Sequence, residues 1–321
     1  MRGPLVSIVV PLYNKAPWVL QSLNSVMNQT YKNWEIILIN DGSTDGGLEI
    51  VNSFKKENPN LWTIITIENS GQCAARNLGI SISKGKYVAF LDPDDLWEEH
   101  KLEFQVNTLE KSPSAVATVC PYVIFFENNK KSLRVVAHRS ISSLLKNWLR
   151  MTGYGGGTES TGLIRRDALN QLGGFNLELS TSAGLLLTIQ LSRLGDIEIS
   201  RGTYMAYRIH TGQWHGNINQ LQMDVERIRE IVNENCISNS KNLRNWHDSY
   251  FRIHDFRSND RRILNLVRIL LFEPLKFYRL WMVLRLLTRN LLAHVRKFYS
   301  RKATGHSLNS ILSFLFPNDF K

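Results

Sequence analysis

The chain has 321 residues and a formal net charge of +11, with 43% hydrophobic and 21% charged residues. That length buries a full core, and the composition is globular, which argues against large-scale disorder or a repeat array. The charge is uneven: residues 241–321 hold 16 Lys and Arg against 5 Asp and Glu, whereas residues 1–240 balance at 23 each. This argues against nucleic-acid binding by the main body and for a basic tail that meets something anionic.

Val6 to Val10 is a β-branched apolar run, the pattern of a buried strand, and it runs into Pro11-Leu12-Tyr13-Asn14. Pro17 can start a helix whose apolar face is Val19, Leu23, Val26 and Met27. A second strand, Glu35 to Ile39, ends in Asn40-Asp41-Gly42-Ser43-Thr44-Asp45. A helix from Leu48 to Glu57, a strand from Leu61 to Ile67, a helix from Cys73 to Ser83 and a strand from Tyr87 to Leu91 complete a β-α-β-α alternation. The alternation predicts an α/β fold with a doubly wound, mostly parallel sheet. The polar loops after Val10, Ile39 and Leu91 then share one sheet edge, where open α/β proteins bind ligands.

The third of these loops reads Asp92-Pro93-Asp94-Asp95. Three carboxylates at the end of a buried strand repel one another unless a cation sits among them, so a hard divalent metal carrying substrate phosphates is expected. A cap on a helix beginning at Leu96 would account for one aspartate, not three, and Asp95 is left to such a cap or to supporting its neighbours. Asp41 resembles the acidic residue that dinucleotide folds place on a ribose hydroxyl, but the first loop lacks the glycine-rich turn of those folds. A dehydrogenase or nucleotidyltransferase is disfavoured on that ground.

Pro11-Leu12-Tyr13-Asn14, Asn40 through Asp45, Gly71 through Gly79 and Phe90 through Asp95, in that order, resemble the successive motifs of family 2 glycosyltransferases. These are inverting enzymes of the A-type fold that use nucleotide-activated sugars. The resemblance spans about residues 5–215. It implies that Pro11, Tyr13 and Asp41 hold the nucleobase and ribose, with a simply packed aromatic as the other account of Tyr13. It implies that Arg76 lies near the nucleotide, and that Asp92 and Asp94 form the Asp-x-Asp motif, with Asp94 ligating Mn²⁺ or Mg²⁺ on the donor diphosphate.

A helix from Lys101 to Leu109 and one strand from Ala115 to Phe126 are expected next, then a helix from Ile141 to Leu149 and a glycine-rich loop at residues 153–157. The segment Gly173-Gly174-Phe175 resembles the acceptor side of the family. The chain departs from the pattern soon after it. Where the resemblance implies a Glu-Asp pair whose Asp is the general base, the residues are Ala183 and Gly184. Glu159, Glu178 and Asp167 are the nearby carboxylates, and Glu178 is ranked first because a shifted helix register would bring it to the site. His210, in Tyr207-Arg208-Ile209-His210, resembles the family histidine that approaches the metal or the diphosphate, and His215 has less support.

A domain of residues 1–220 is expected to bind a nucleotide sugar, followed by a basic, amphipathic helical extension over 221–321. In its last helix Phe277, Leu280, Trp281, Leu284, Leu287, Leu291 and Val295 share one face, with Arg285, Arg289 and Arg296 opposite. Arginines interrupt every run long enough to span a bilayer, so residues 261–302 read as a helix lying on an anionic membrane surface, or packed on another protein surface. Cys73, Cys120 and Cys236 are in no metal-ligand spacing and suit a reducing compartment. With no charged-then-apolar leader visible, a cytoplasmic place is expected, peripheral on the inner face of the membrane.

Two functions follow. The first is a metal-dependent, inverting transfer of a sugar from a nucleoside diphosphate donor to a saccharide or lipid-linked acceptor at the cell surface. The alternative is a catalytically impaired relative that binds nucleotide and metal or pairs with an active homologue.

Overall fold

The structure, a computed structural model, describes residues 3–57, 62–127, 129–136, 158–180 and 182–210, together with 220, 223, 224, 226–228, 230 and 231. The chain divides between Cys236 and Ile237 into two units, and the described residues all belong to the first. The predicted helix 141–149, the glycine loop 153–157, His215, Cys236 and the tail at 261–302 lie outside the described residues. Described residues between 220 and 231 are helical.

A mixed α/β architecture forms around a seven-stranded sheet of order β10-β6-β9-β4-β1-β2-β3. Its strands are β1 (Val6–Leu12), β2 (Trp34–Asp41), β3 (Trp62–Ile67), β4 (Tyr87–Phe90), β6 (Ala115–Val119), β9 (Gly162–Arg165) and β10 (Asp196–Ile199). All seven residues of β1 are buried, because helices cover both faces of a central parallel strand. The flanking helices are α1 (Ala16–Met27), α2 (Gly47–Glu57), α3 (Gln72–Ile82) and α4 (Lys101–Lys111). Pro17 enters α1 where a missing N–H costs nothing, and Val19, Leu23 and Val26 are its buried stripe. On the opposite face α3 comes so near the sheet that a Cβ on Gly79 would collide with the Val9 side chain.

The strands β1, β2, β3 and β4 run parallel, and β9 is antiparallel to both β4 and β6. From β1 the chain steps outward to β2 and β3, then returns to β4 on the other side of β1. The strand order therefore reverses between β1 and β4, where their following loops diverge and leave a crevice.

Two elements differ from the sequence reading. The single strand expected over Ala115–Phe126 is two strands, β6 and β7 (Tyr122–Phe126), in different sheets. Pro121 has no N–H for a ladder, and the chain turns there. The helix start considered at Leu96 is a short strand, β5 (Leu96–Trp97), and the helix begins at Lys101. Pairing with β11 (Met205–Ile209) and burial of the Trp97 ring override the local preference. The smaller sheet has the order β5-β11-β7-β8, with β8 at Asn129–Val136. After β8 the described helices are α5 (Thr158–Thr161), α6 (Arg166–Leu172) and α7 (Ala183–Leu194). Among the described residues no helix is long and apolar enough to cross a membrane.

Candidate active site

The site lies at the C-terminal ends of β1, β2 and β4, as the alternation of strands requires. The first two loops are latched to each other. Asn14 sits at φ 49°, in the left-handed region that asparagine tolerates. Its Oδ1 accepts the Thr44 N–H at 2.8 Å, and Asp45 accepts the Ala16 N–H at 2.7 Å. Pro11 is buried in β1, opposite Ile39 of β2. Tyr13, just beyond the strand, is 47% exposed and is therefore not a packed core aromatic.

Asp41, at the end of β2, is buried, and its two oxygens accept the N–H groups of Ser70 at 2.7 Å and Gly71 at 3.0 Å. It thereby fixes the entry to α3. Arg76 projects from that helix, is buried, and donates to Asp92 Oδ1 at 2.6 Å while lying over the Phe175 ring. Burial works against the Arg76 charge, but Asp92 and Glu159 more than offset it.

Asp94 has a different partnership. Its Oδ2 accepts Lys15 Nζ at 2.6 Å and lies 3.1 Å from His210 Nε2. Burial raises the Asp94 carboxyl, but the hydrogen bonds and charges of His210 and Lys15 prevail and hold it down at about 2. His210 is buried at the end of β11 and stacks on Trp18, with ring centroids 3.6 Å apart. Arg208, two residues earlier, donates from Nε to the Asp94 carbonyl at 2.9 Å. Asp95 is buried beneath them, and its carboxyl is pushed well up by burial and by Asp94 and Asp92.

The three aspartates thus have three separate roles. Among the described residues, Asp92, Asp94 and His210 do not bring three ligand atoms within 4.8 Å of one another. Asp94 and His210 converge, whereas Asp92 is held by Arg76. A carboxylate with an imidazole is a donor pair that fits Mn²⁺ better than Mg²⁺, which takes oxygen ligands, with phosphate and water completing the set.

The acceptor-side segment is tied to α3. Asn77 bonds both backbone groups of Phe175, at 2.8 and 2.7 Å, and Gln72 donates to the Ser180 carbonyl at 2.6 Å. The ties deliver the amino end of α7 toward Arg76. Asp224 accepts the N–H groups of Ser180 and Ser182 there, and the first turn of α7 carries no acidic residue of its own. Glu178 is on the surface, exposed and paired with Arg227 at 2.5 Å. Its hydrogen bond and charge contact with Arg227 keep it ionised and engaged.

Glu159 takes the place toward which Glu178 was expected to turn. It sits on α5, next to Ser160, whose Oγ accepts the Asp92 N–H at 3.1 Å. Its carboxylate fills the space a Cβ on Gly184 would need. Burial raises its carboxyl, Arg76 lowers it, Asp92 raises it, and the N–H groups of Glu159 and Gly184 lower it, with the net effect upward. Lys15, Trp18 and Arg208 also belong to the site; the sequence offers no motif for Lys15 and Trp18, and the segment around His210 gives Arg208 no role, because their contacts arise only where β1, β4 and β11 meet.

A family model described as glycosyl transferase family 2 matches residues 7–173. An uncharacterized glycosyltransferase of Haemophilus influenzae is 43% identical over 107 residues, which is 33% of this chain and 43% of that protein. The putative teichuronic acid biosynthesis glycosyltransferase TuaG of Bacillus subtilis is 40% identical over 104 residues, 32% of this chain and 41% of the relative. The chain spans less than half the length of these curated relatives. Among solved structures, S. aureus TarS residues 1–349 in complex with UDP-GlcNAc superposes with a TM-score of 0.62 at 19% identity, covering 79% of this chain and 74% of that one. GalNAc-T7 with UDP, GalNAc and Mn²⁺ gives a TM-score of 0.54 at 18% identity, covering 71% and 48%. These two likenesses show the fold. Since the family model covers more than half of its residues, the chain belongs to glycosyl transferase family 2.

Proposed function

We propose that this protein transfers a sugar from a nucleoside diphosphate donor to a cell-surface polysaccharide or glycolipid acceptor, with inversion and with the help of a divalent metal. The observation that carries this reading is the convergence of Asp94, His210 and Lys15 at the strand-order reversal between β1 and β4. An anionic diphosphate needs cations and donors at that place. Asp94 and His210 would hold the metal, and Lys15 brings an ammonium beside them. When bound, the metal would stabilise the charge that develops on the departing diphosphate. Tyr13 is exposed at the end of β1 to meet the nucleobase, with Asp41 and Arg76 fixing the helix and loop around it. The relatives support the acceptor class, since TuaG is named for teichuronic acid biosynthesis, and the TarS complexes hold UDP and UDP-GlcNAc.

The test is thermal stabilisation by a panel of nucleoside diphosphate sugars, with and without Mn²⁺. A Mn²⁺-dependent rise in Tm is expected for the native chain, and Asp94→Asn is expected to lose it. Equal stabilisation of that variant would remove Asp94 from the metal.

One observation favours a second reading, binding without transfer. The first turn of α7 has Ala183 and Gly184 and so carries no carboxylate to take a proton from an acceptor. The membrane reading of residues 261–302 is also a proposal, supported by a neutral body joined to a basic, amphipathic tail.

A further inference from the structure

Transfer to a hydroxyl needs a proton acceptor, and the carboxylates of the crevice differ in how far each is already bonded. Asp41 accepts two backbone N–H groups, Asp92 is paired with Arg76, and Asp94 holds Lys15 and His210. Asp95 is buried and interacts with Ser160 and the Arg208 backbone. Glu178 is engaged on the surface by Arg227. Glu159 is different: it lies against the amino end of α7 and is bonded by the backbone N–H groups of Glu159 and Gly184, with the Arg76 charge nearby.

Its position is as informative as its bonding. The carboxylate stands at the amino end of α7, a helix of 12 residues whose aligned peptide dipoles favour negative charge there. Its charge interacts with those of Arg76 and Asp92, and its neighbour Ser160 accepts the Asp92 N–H at 3.1 Å, so α5 borders the donor side of the crevice. Its oxygens occupy the volume that any side chain on residue 184 would enter, so the glycine and the glutamate are one arrangement. Removing the Cβ from α7 opens the room in which a carboxylate from α5 lies.

We propose that Glu159 is the catalytic base of the transfer, supplied from α5 in place of a carboxylate on α7. The inference rests on the transferase reading above. In the step, the acceptor O–H bond breaks and its proton passes to a Glu159 carboxylate oxygen. The freed oxygen electron pair forms the bond to the anomeric carbon. The bond from that carbon to the diphosphate breaks, and its electron pair leaves with the nucleoside diphosphate. Glu159 then releases the proton to water. Because the incoming oxygen and the departing diphosphate lie on opposite sides of the carbon, the configuration inverts.

The experiment uses the full chain, Mn²⁺ and a panel of UDP-sugars, with water as the acceptor and UDP release as the readout. Stabilisation by UDP and Mn²⁺ is measured beside it. Glu159→Gln keeps the shape of the side chain and is expected to lower kcat on the order of 10²- to 10⁴-fold, with the UDP-dependent rise in Tm unchanged. Glu159→Ala is expected to fall as far. Adding Gly184→Asp to Glu159→Ala returns a carboxylate to the same space from the other backbone, and turnover should recover about tenfold or more, a small part of what a general base contributes. A role confined to capping α7 or balancing Arg76 would instead lower the Tm of Glu159→Gln without donor and leave kcat of the folded enzyme near native.

Native turnover by Glu159→Gln would overturn the assignment and leave the transferase reading standing. Loss of the UDP-dependent stabilisation in Glu159→Gln would overturn it as well, by making Glu159 part of donor binding. Binding without turnover by the native chain would sink the base and favour the second reading. Neither binding nor turnover with any sugar of the panel would mean that the transferase reading itself had failed, and the base with it.

Discussion

Lys101 is fully buried at the start of α4, with Nζ donating to Gln105 Oε1 at 2.7 Å and lying 4.1 Å from the centre of the Trp97 ring. Burial pushes its ammonium down to about 8, with Cys120 opposing weakly. Below pH 8 the lysine is charged in both the folded and the unfolded chain, and its burial is a constant cost. Between pH 8 and about 10.4 the unfolded chain alone keeps the proton, so this residue's contribution to stability rises with pH. Lys101→Met lacks that contribution. In urea melts, the stability of the native chain relative to Lys101→Met should rise by about 3 kcal/mol across the window, at about 1.4 kcal/mol per pH unit. A difference that does not change with pH would show that the ammonium is not desolvated. Asp94 shows the opposite balance at the same scale, since bonded cations outweigh burial there.

At the scale of elements, α3 packs against β1 at close range through Gly79 and Val9. Replacing Gly79 with alanine improves helix propensity by about 1 kcal/mol, but its Cβ would enter the Val9 side chain. Overpacking of that kind costs about 1–3 kcal/mol, so Gly79→Ala is expected to destabilise the native chain. In a Val9→Ala background the collision disappears, and Gly79→Ala should become neutral or stabilising by up to about 1 kcal/mol. A double-mutant cycle by denaturant unfolding measures this coupling, and additive effects would mean that the contact is not close. The same scale explains which elements could be read in advance. The strands β1, β2, β3 and β4 are apolar runs with periodic helices between them, and local pattern carries that information. Ala115–Phe126 is equally apolar throughout, so its pattern hides the break at Pro121 and the change of sheet. Leu96–Trp97 is too short for any periodicity, and only its partner β11 makes it a strand.

At the scale of the whole molecule, the division after Cys236 coincides with the charge boundary. Residues 237–240 are uncharged, so the first unit is neutral and the second carries the full +11. A chain ending at Cys236 should therefore retain a cooperative thermal transition and the Mn²⁺-dependent stabilisation by the donor. The full chain should float with liposomes containing anionic lipid, and the chain ending at Cys236 should not. The attraction should weaken as ionic strength rises, because the Debye length falls to about 3 Å at 1 M salt. Flotation of the shorter chain, or none by the full chain, would remove the membrane role of residues 261–302.

The sequence by itself determined the α/β alternation, the edge on which the loops after β1, β2 and β4 gather, and the family. These follow from short-range patterns: apolar runs, helical periodicity and polar residues at strand ends. It also marked Asp94 and His210, and it showed that α7 would start with Ala183 and Gly184. The tertiary structure alone decided that Asp92 belongs to Arg76 while Asp94 belongs to Lys15 and His210. It alone placed Glu159, 25 positions before Gly184 in the chain, in the space that the glycine leaves open. Such pairings depend on strand order and on the close approach of α5 and α7, and neither is encoded in the spacing of the residues that meet.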